Sequence, residues 1–411
     1  MNILLAFKAE PDAGMLAEKE WQAAAQGNSG PDVSLLRSLL GADEQAAAAL
    51  LLAQRKNGTP MSLTALSRQK TSMGDERALH WLRYLMALGF EEAVLLETAA
   101  DLRFAPEFVA RHIAEWQRQN PLDLIITGCQ SSEGQNGQTP FLLAEMLVWP
   151  CFTQVERFTL DAPFITLEQR TEHGVRCCRV RLPAVIAVRQ CGEVALPVPG
   201  MRQRMAAGKA AIIRKTVAVE LPAMQCLQLA RAEQRRGATS ADWWANGSRK
   251  SAKAMAGLFT PKDAAMNIVI VTINQDHAAI ASWLAAQDFS GCTLAHWQIE
   301  PQPMVAEQVL DALVEQWQRT PADVVLFPPG AFGDELSTRL AWRLHGASIC
   351  QVTSLDIPTV SVRKSHWGNA LTATLQTDKR PLCLSLARQA GADKNATLPS
   401  GMQHLIFSSV S

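Results

Sequence analysis

The chain has 411 residues, too long for one ordinary hydrophobic core, so two domains are expected. Its 39 basic residues balance 39 acidic ones, which leaves no electrostatic footprint for nucleic acid or an anionic membrane. The longest apolar run, "AAAALLLA" at 46–53, falls far short of the roughly 20 residues that span a bilayer. No basic n-region or small-residue cleavage site marks the N-terminus, so a cytoplasmic location is expected.

In chain order, short apolar runs at about 2–7, 61–66, 93–97 and 123–127 have strand length and end at turn signals. Helical stripes separate them. Ala78, Leu79, Leu82, Leu85 and Met86 recur at helical spacing over 75–88, as do Phe108, Val109, His112, Ile113 and Trp116 over 106–117. This alternation predicts α/β domains of Rossmann-like type, with a mainly parallel sheet between helices. The stretch 164–183, "FITLEQRTEHGVRCCRVRLP", reads instead as an antiparallel hairpin turning at His173-Gly174. Residues 231–265 lose both periodicities and read as a linker, although the tandem Trp243-Trp244 is unusual in one. At Met266 the opening pattern recurs, since "MNIVIVTI" repeats that of "MNILLAF".

The second start opens a second copy of one domain type. "DLIITG" at 123–128 corresponds to "DVVLFP" at 323–328. Leu143-Ala144 then aligns with Leu340-Ala341, and Gln154-Val155 with Gln351-Val352, without a gap. "PAVIAV" at 183–188 pairs with "PLCLSL" at 381–386. Each copy is expected to carry an antiparallel hairpin.

Ligands of such sheets bind beyond the carboxyl ends of the strands. In the first copy that place holds "GCQSSEGQNGQTP" at 128–140, small, polar and rich in glycine, leading into a helix near Gln138. Its backbone N–H groups suit a phosphate, and the loop has no Lys or Arg, so backbone dipoles are expected to hold the anion. The matching loop of the second copy, "PPGAFGDELSTRL" at 328–340, carries two acids near its helix start, which disfavours an anion there. No P-loop, G-x-G-x-x-G, G-x-S-x-G or H-E-x-x-H pattern occurs. His112 lies in an apolar stripe and reads as a packed core histidine. The nine cysteines lack C-x-x-C pairs or zinc spacing, so neither a metal site nor a catalytic residue is assigned.

These features together resemble the electron transfer flavoproteins. The first copy is similar to the β subunit through "ILLAFKAEPD" (3–12), "ADEQAAAALLLAQ" (42–54), "LRYLMALGFEEAVLL" (82–96), the loop 128–140, "VRLPAVIAV" and "VPGMRQRMAAGK". The second copy resembles the N-terminal domain of the α subunit through "PPGAFGDELSTRLAWRL" and "HWGNALTATLQTDKRPLCLSL". The domains implied are a β-subunit-like 1–230, a linker 231–265, an α-like 266–391 and a tail 392–411.

The resemblance implies an electron carrier rather than a self-contained catalyst. It would shuttle electrons through FAD from a dehydrogenase to a redox acceptor, with AMP or a second FAD in the β-type domain and the two domains paired within the chain. By position, Ala6, Asp43, Ser72, Gly74, Glu133, Gly134, Gln135, Asn136, Gly137, Gln138 and Thr139 would line the nucleotide site. Three departures qualify this. Leu40-Gly41 stands where the family has Asn-Pro, 67–76 carries extra residues, and the partner-docking loop 189–197 has Gln190 near the anchor position. The family's FAD-binding domain is not found after the second hairpin, so a separate α-type FAD domain would have to complete the flavin site. The patternless stretch and Met266 fit two reading frames joined end to end. The alternatives are a non-redox adenine-nucleotide-binding module and a structural dimerisation unit.

Overall fold

A computed structural model describes residues 1–71, 76–193, 195–218, 222–232, 265–389 and 391–408. Ser72, Gly74, Trp243, Trp244 and nearly all of the expected linker lie outside the described residues. The chain divides into two compact units. The first comprises Met1–Ala24 and Ser29–Gln225 with His366–Gly368, and the second comprises Cys226–Ser365 and Asn369–Ser411 with Ala25–Asn28.

The first unit is built in the order β1 (Asn2–Phe7), β2 (Ala9–Pro11), α1 (Glu18–Ala24), β3 (Ser38–Leu40), α2 (Ala42–Lys56), β4 (Ser62–Lys70), α3 (Arg77–Ala87), β5 (Glu92–Thr98) and α4 (Pro106–Gln119). It continues through β6 (Leu124–Gly128), α5 (Thr139–Leu147), β7 (Cys151–Asp161), β8 (Phe164–Thr171), β9 (Gly174–Arg181), β10 (Ala184–Val188), α6 (Met201–Lys209) and β11 (Ile213–Thr216). Its main sheet runs β11-β5-β4-β1-β6-β10-β7-β8-β9. The strands from β11 to β7 pair in parallel, and β7, β8 and β9 pair antiparallel. Central strands are buried on both faces, which is why β6 and β10 read as unbroken apolar runs rather than alternations. The expected hairpin forms as β8 and β9, with Thr171 paired to Gly174, so its two loop residues are Glu172 and His173.

The second unit contains β12 (Gln225–Arg231), β13 (Asn267–Ile273), α7 (Ala278–Ala285), β14 (Thr293–Ile299), α8 (Glu307–Arg319), β15 (Val324–Phe327), α9 (Ala331–Arg343), β16 (Ala347–Asp356), β17 (Ser361–His366), β18 (Leu371–Gln376), β19 (Leu382–Leu386) and β20 (Gln403–Phe407). Its sheet runs β12-β18-β17-β16-β19-β15-β13-β14-β20. Read from the other end, this is the order of the first sheet: β15, β19, β16, β17 and β18 take the places of β6, β10, β7, β8 and β9, with β13 and β14 in the places of β1 and β4. One substitution stands out. The place beside β4 belongs to β5, the next strand in the chain, whereas the place beside β14 is filled by β20, from the far end of the unit.

The Gln-Val pair shared by the two copies has a backbone cause. Pairing between β10 and β7 shifts register between Ile186 and Val188, and pairing between β16 and β19 shifts between Ile349 and Val352. Gln154 and Gln351 sit at these bulges with φ of 56° and 60°. A bulge at this position bends each parallel strand into its antiparallel extension. The core of the second unit gathers Val271, Trp297, Leu310, Leu313, Phe327, Leu336 and Leu340 between α8, α9 and the sheet. No described helix is long and apolar enough to cross a membrane.

Candidate functional site

In the first unit a cavity of about 130 Å³ lies beyond the carboxyl ends of β1, β4, β5 and β6. One wall is the end of β1 with the loop after β6 and the first residues of α5: Ala6, Lys8, Asn136, Gly137, Gln138 and Thr139. α4 also contributes to the lining, through Pro106, Val109, His112 and Ile113 at helical spacing. Leu66, Leu96 and Leu102 add apolar surface, and Arg68 and Arg103 bring guanidinium groups to the lining, the latter paired with Asp101 at 2.6 Å.

The loop is held rigidly by groups that sequence position alone does not reveal. Glu10, buried on β2, accepts hydrogen bonds from the Ser132 backbone N–H (2.7 Å) and the Ser132 hydroxyl (2.8 Å). Asn136 donates through Nδ2 to the Arg103 carbonyl at 2.6 Å. Asp43, in the first turn of α2, accepts from the N–H of Cys129 at 3.1 Å and of Gln190 at 2.9 Å. Lys8 pairs with Glu133. Burial alone would raise the Glu133 carboxyl, but the Lys8 ammonium overrides it and leaves the group below the usual range. Gln135 and Gly137 have φ of 49° and 64°, and Gln138 returns to the right-handed region ahead of α5. Such an alternation turns successive N–H groups toward one side, the arrangement that cradles anions.

Of the residues expected from position, Ala6, Asn136, Gly137, Gln138 and Thr139 line the cavity. Asp43 instead ties two loops to α2, and Glu133 makes the ion pair with Lys8. Gly134 packs where an added Cβ would stand 3.0 Å from the Arg103 carbonyl, so together with Gln135 it shapes the loop. The expectation that an anion here would meet no positive side chain holds for the loop but not for the cavity, because Lys8, Arg68 and Arg103 arrive from other segments. Lys8 and Arg103 follow the ends of β1 and β5, and Arg68 lies near the carboxyl end of β4, where the strand-end rule would have pointed. His112, read from sequence as a core residue, lines the cavity as well.

Glu44 also lines the cavity, and its carboxyl group is packed against Gly41 and Gly128. Burial pushes it up to about 8, with Glu10 and Asp43 adding repulsion, so it is protonated at neutral pH. An uncharged Glu44 removes one carboxylate from beside the ion pairs Lys8–Glu133 and Arg103–Asp101. Cys129 beside it is raised by burial to about 12 and stays a thiol.

The corresponding turn of the second unit is filled from within. There the helix, α9, starts at Ala331, and Asp334 in its first turn is buried. Its carboxylate accepts from the Ser385 hydroxyl and from Gln351 Nε2 at 3.4 Å. Burial raises Asp334, and Lys364 nearby, only 1% exposed, is lowered by burial to about 8. Glu335, the second acid of that turn, pairs with the buried Arg339 at 2.8 Å. Among the described residues no cluster of His, Cys, Asp or Glu is arranged to hold a metal.

Comparison with known proteins follows the same division. The electron transfer flavoprotein domain family matches residues 44–220 and 292–399. The chain is 93% identical over 242 residues to the electron transfer flavoprotein subunit YgcR of Escherichia coli (strain K12), covering 59% of this chain and 92% of that protein. It is 94% identical over 140 residues to the electron transfer flavoprotein subunit YgcQ of the same organism, covering 34% of this chain and 49% of that protein. To the electron transfer flavoprotein subunit beta of Bacillus subtilis (strain 168) it is 26% identical over 143 residues, 34% of this chain and 52% of that protein. The chain therefore spans nearly all of YgcR but about half of YgcQ and of the Bacillus subunit.

Proposed function

We propose that this chain, which belongs to the electron transfer flavoprotein family, binds an adenine nucleotide in the cavity of its first unit and serves as the nucleotide-holding part of a flavin-based electron carrier. The observation that carries the reading is the cavity itself. It brings together a glycine-containing loop, the start of α5, three cationic side chains and an apolar wall beyond the ends of parallel strands. That donor set fits an adenosine phosphate, the part common to AMP and FAD. Backbone N–H groups and the cations face the phosphate, and the leucines with α4 enclose the base.

Ala6, Asn136, Gly137, Gln138 and Thr139 form the contact wall in this reading, with Asp43, Glu133, Gly134 and Gln135 keeping the loop in shape. Ser72 and Gly74 belong to the proposed site by position alone. FAD, where bound, supplies the one- and two-electron chemistry of the carrier. The protein's own residues bind and orient the nucleotide, exclude water from it and, through the protonated Glu44, keep negative charge away from its phosphate. The second unit has its corresponding turn occupied by Asp334, which supports a single nucleotide site per chain. The carrier reading makes a dehydrogenase the electron donor and a second redox protein the acceptor.

The test is to purify the chain, denature it, and identify the small molecules released by absorbance and mass. AMP or FAD near one per chain supports the reading. A protein free of both, and unable to take up either on dialysis, refutes it. A nucleotide without any flavin on the protein or on an added partner would favour a non-redox binding module instead.

A further inference from the structure

We propose that the turn His366–Gly368 is a positioning element for the nucleotide loop: its backbone N–H groups hold residues 132 and 133, and so fix the lining residues on either side of them. The proposal rests on the adenine-nucleotide reading of the cavity and goes beyond it, because it gives the loop a brace from a distant part of the chain.

The turn joins β17 to β18, and its three residues belong to the first compact unit. The hairpin of β8 and β9 ends in an exposed turn, Glu172-His173. Here, by contrast, His366 is buried and Trp367 is 5% exposed. Trp367, Gly368 and Asn369 follow one another in the left-handed region, with φ of 54°, 58° and 68°. A tryptophan seldom adopts that conformation, and it persists only where the surroundings fix it. Two contacts do so. The Trp367 ring meets Trp21 edge-on, with centroids 6.0 Å apart. Gly30, itself at φ of 83°, passes so close that an added Cβ would stand 3.1 Å from Trp367 Nε1.

What the turn holds is the loop after β6. The Trp367 N–H donates to the Glu133 carbonyl at 3.0 Å, and the Gly368 N–H to the Ser132 carbonyl at 2.7 Å. Glu10 accepts from the Ser132 N–H, so Ser132 is tied through both of its backbone groups. The His366 ring packs on Phe104, with centroids 4.8 Å apart. Next to Phe104 is Arg103, whose carbonyl accepts from Asn136. Ser131 and Asn136 line the cavity, and these bonds fix the stretch of chain between them. A loop kept in its binding shape before the ligand arrives is bound at a lower ordering cost. By linkage, a ligand that uses that shape steadies the turn in return.

The experiment is hydrogen–deuterium exchange on the ligand-stripped, full-length chain, alone and saturated with AMP. The amides of Trp367 and Gly368 are expected to exchange at least about threefold more slowly with AMP bound. In calorimetric titration, Trp367→Ala is expected to bind AMP about tenfold more weakly, because the loop must then be ordered by the ligand. Trp367→Phe keeps an aromatic ring against Trp21 and is expected to recover most of that loss. Unchanged exchange at both amides, in a wild-type chain that binds AMP, overturns the proposal without recourse to any variant and leaves the nucleotide reading standing. So does a folded Trp367→Ala protein of wild-type affinity, or a Phe variant as weak as the Ala one. If the wild type refuses both AMP and FAD, the nucleotide reading itself fails and the proposal fails with it.

Discussion

Replacing Glu44 by Gln should make the protein's stability less dependent on pH. The wild-type carboxyl is raised by burial from 4.5 to about 8. Between those values the folded state holds a proton that the unfolded state has released, so wild-type stability falls as pH rises. At about 1.4 kcal/mol per pH unit, the full window sets a ceiling of about 5 kcal/mol, and relaxation around the charge reduces it toward roughly 3. Gln is nearly isosteric with the protonated acid and does not titrate. Other groups move the other way: His296, lowered to about 4, and Lys364, lowered to about 8, both favour the folded state as pH rises. They are common to both proteins and cancel in the difference. Urea unfolding followed by far-ultraviolet circular dichroism at pH 5, 7 and 9 measures that difference. Glu44→Gln should match the wild type at pH 5 and exceed it by about 3 kcal/mol at pH 9, a midpoint shift of roughly 1 M or more. Parallel curves at all three pH values would refute the assignment of a buried, protonated Glu44.

Because Glu44 lines the cavity, AMP affinity should also weaken above about pH 8 in the wild type, as the ionised carboxylate comes to oppose the phosphate. It should stay level in Glu44→Gln, as isothermal titration across pH 7 to 9 would read. Val148 ends α5 in the left-handed region with φ of 56° and is 90% exposed, so it has strain and almost no packing to lose. Val148→Gly should therefore stabilise by about 1 kcal/mol, visible as a rise of a few degrees in melting temperature. Gly333→Ala tests the opposite balance. Helix propensity favours Ala inside α9 by about 1 kcal/mol, but the new Cβ would stand 1.9 Å from the Pro328 carbonyl oxygen. Sterics should win, with a net loss of about 2 kcal/mol or more in thermal or urea unfolding.

The repeat made much of the fold legible. With Leu143 and Leu340 in register, the shared hairpin, the match of Gln154 with Gln351 and the match of 183–188 with 381–386 follow from pattern, whereas the bulges at the two glutamines do not. What the pattern could not show was β20. "QHLIF" has strand length, but nothing local says that it pairs beside β14 rather than ending the chain as a tail. Long-range pairing of that kind is set by tertiary fit, not by propensity.

The site was legible in the same uneven way. A loop of glycines and polar residues between a strand and a helix announces itself, and Asn136 to Thr139 were readable from it. Lys8, Arg68 and Arg103 were not, because they come from separate segments that meet only in the folded unit. His112 marks where periodicity stops discriminating. One face of α4 packs on the core and an adjoining face forms the cavity wall, and both are apolar, so periodicity gives the same signal for each. The role of Asp43 was likewise hidden, since its bonds to Cys129 and Gln190 span loops far away in sequence.

The most direct test of the account is equilibrium dialysis of the ligand-stripped chain against radiolabelled AMP, with Arg68→Gln alongside the wild type. The account predicts one saturable site per wild-type chain and an affinity lowered about tenfold in Arg68→Gln, in keeping with loss of a charged partner of the phosphate. No saturable uptake by the wild type, or uptake unaffected by the loss of Arg68, would contradict it.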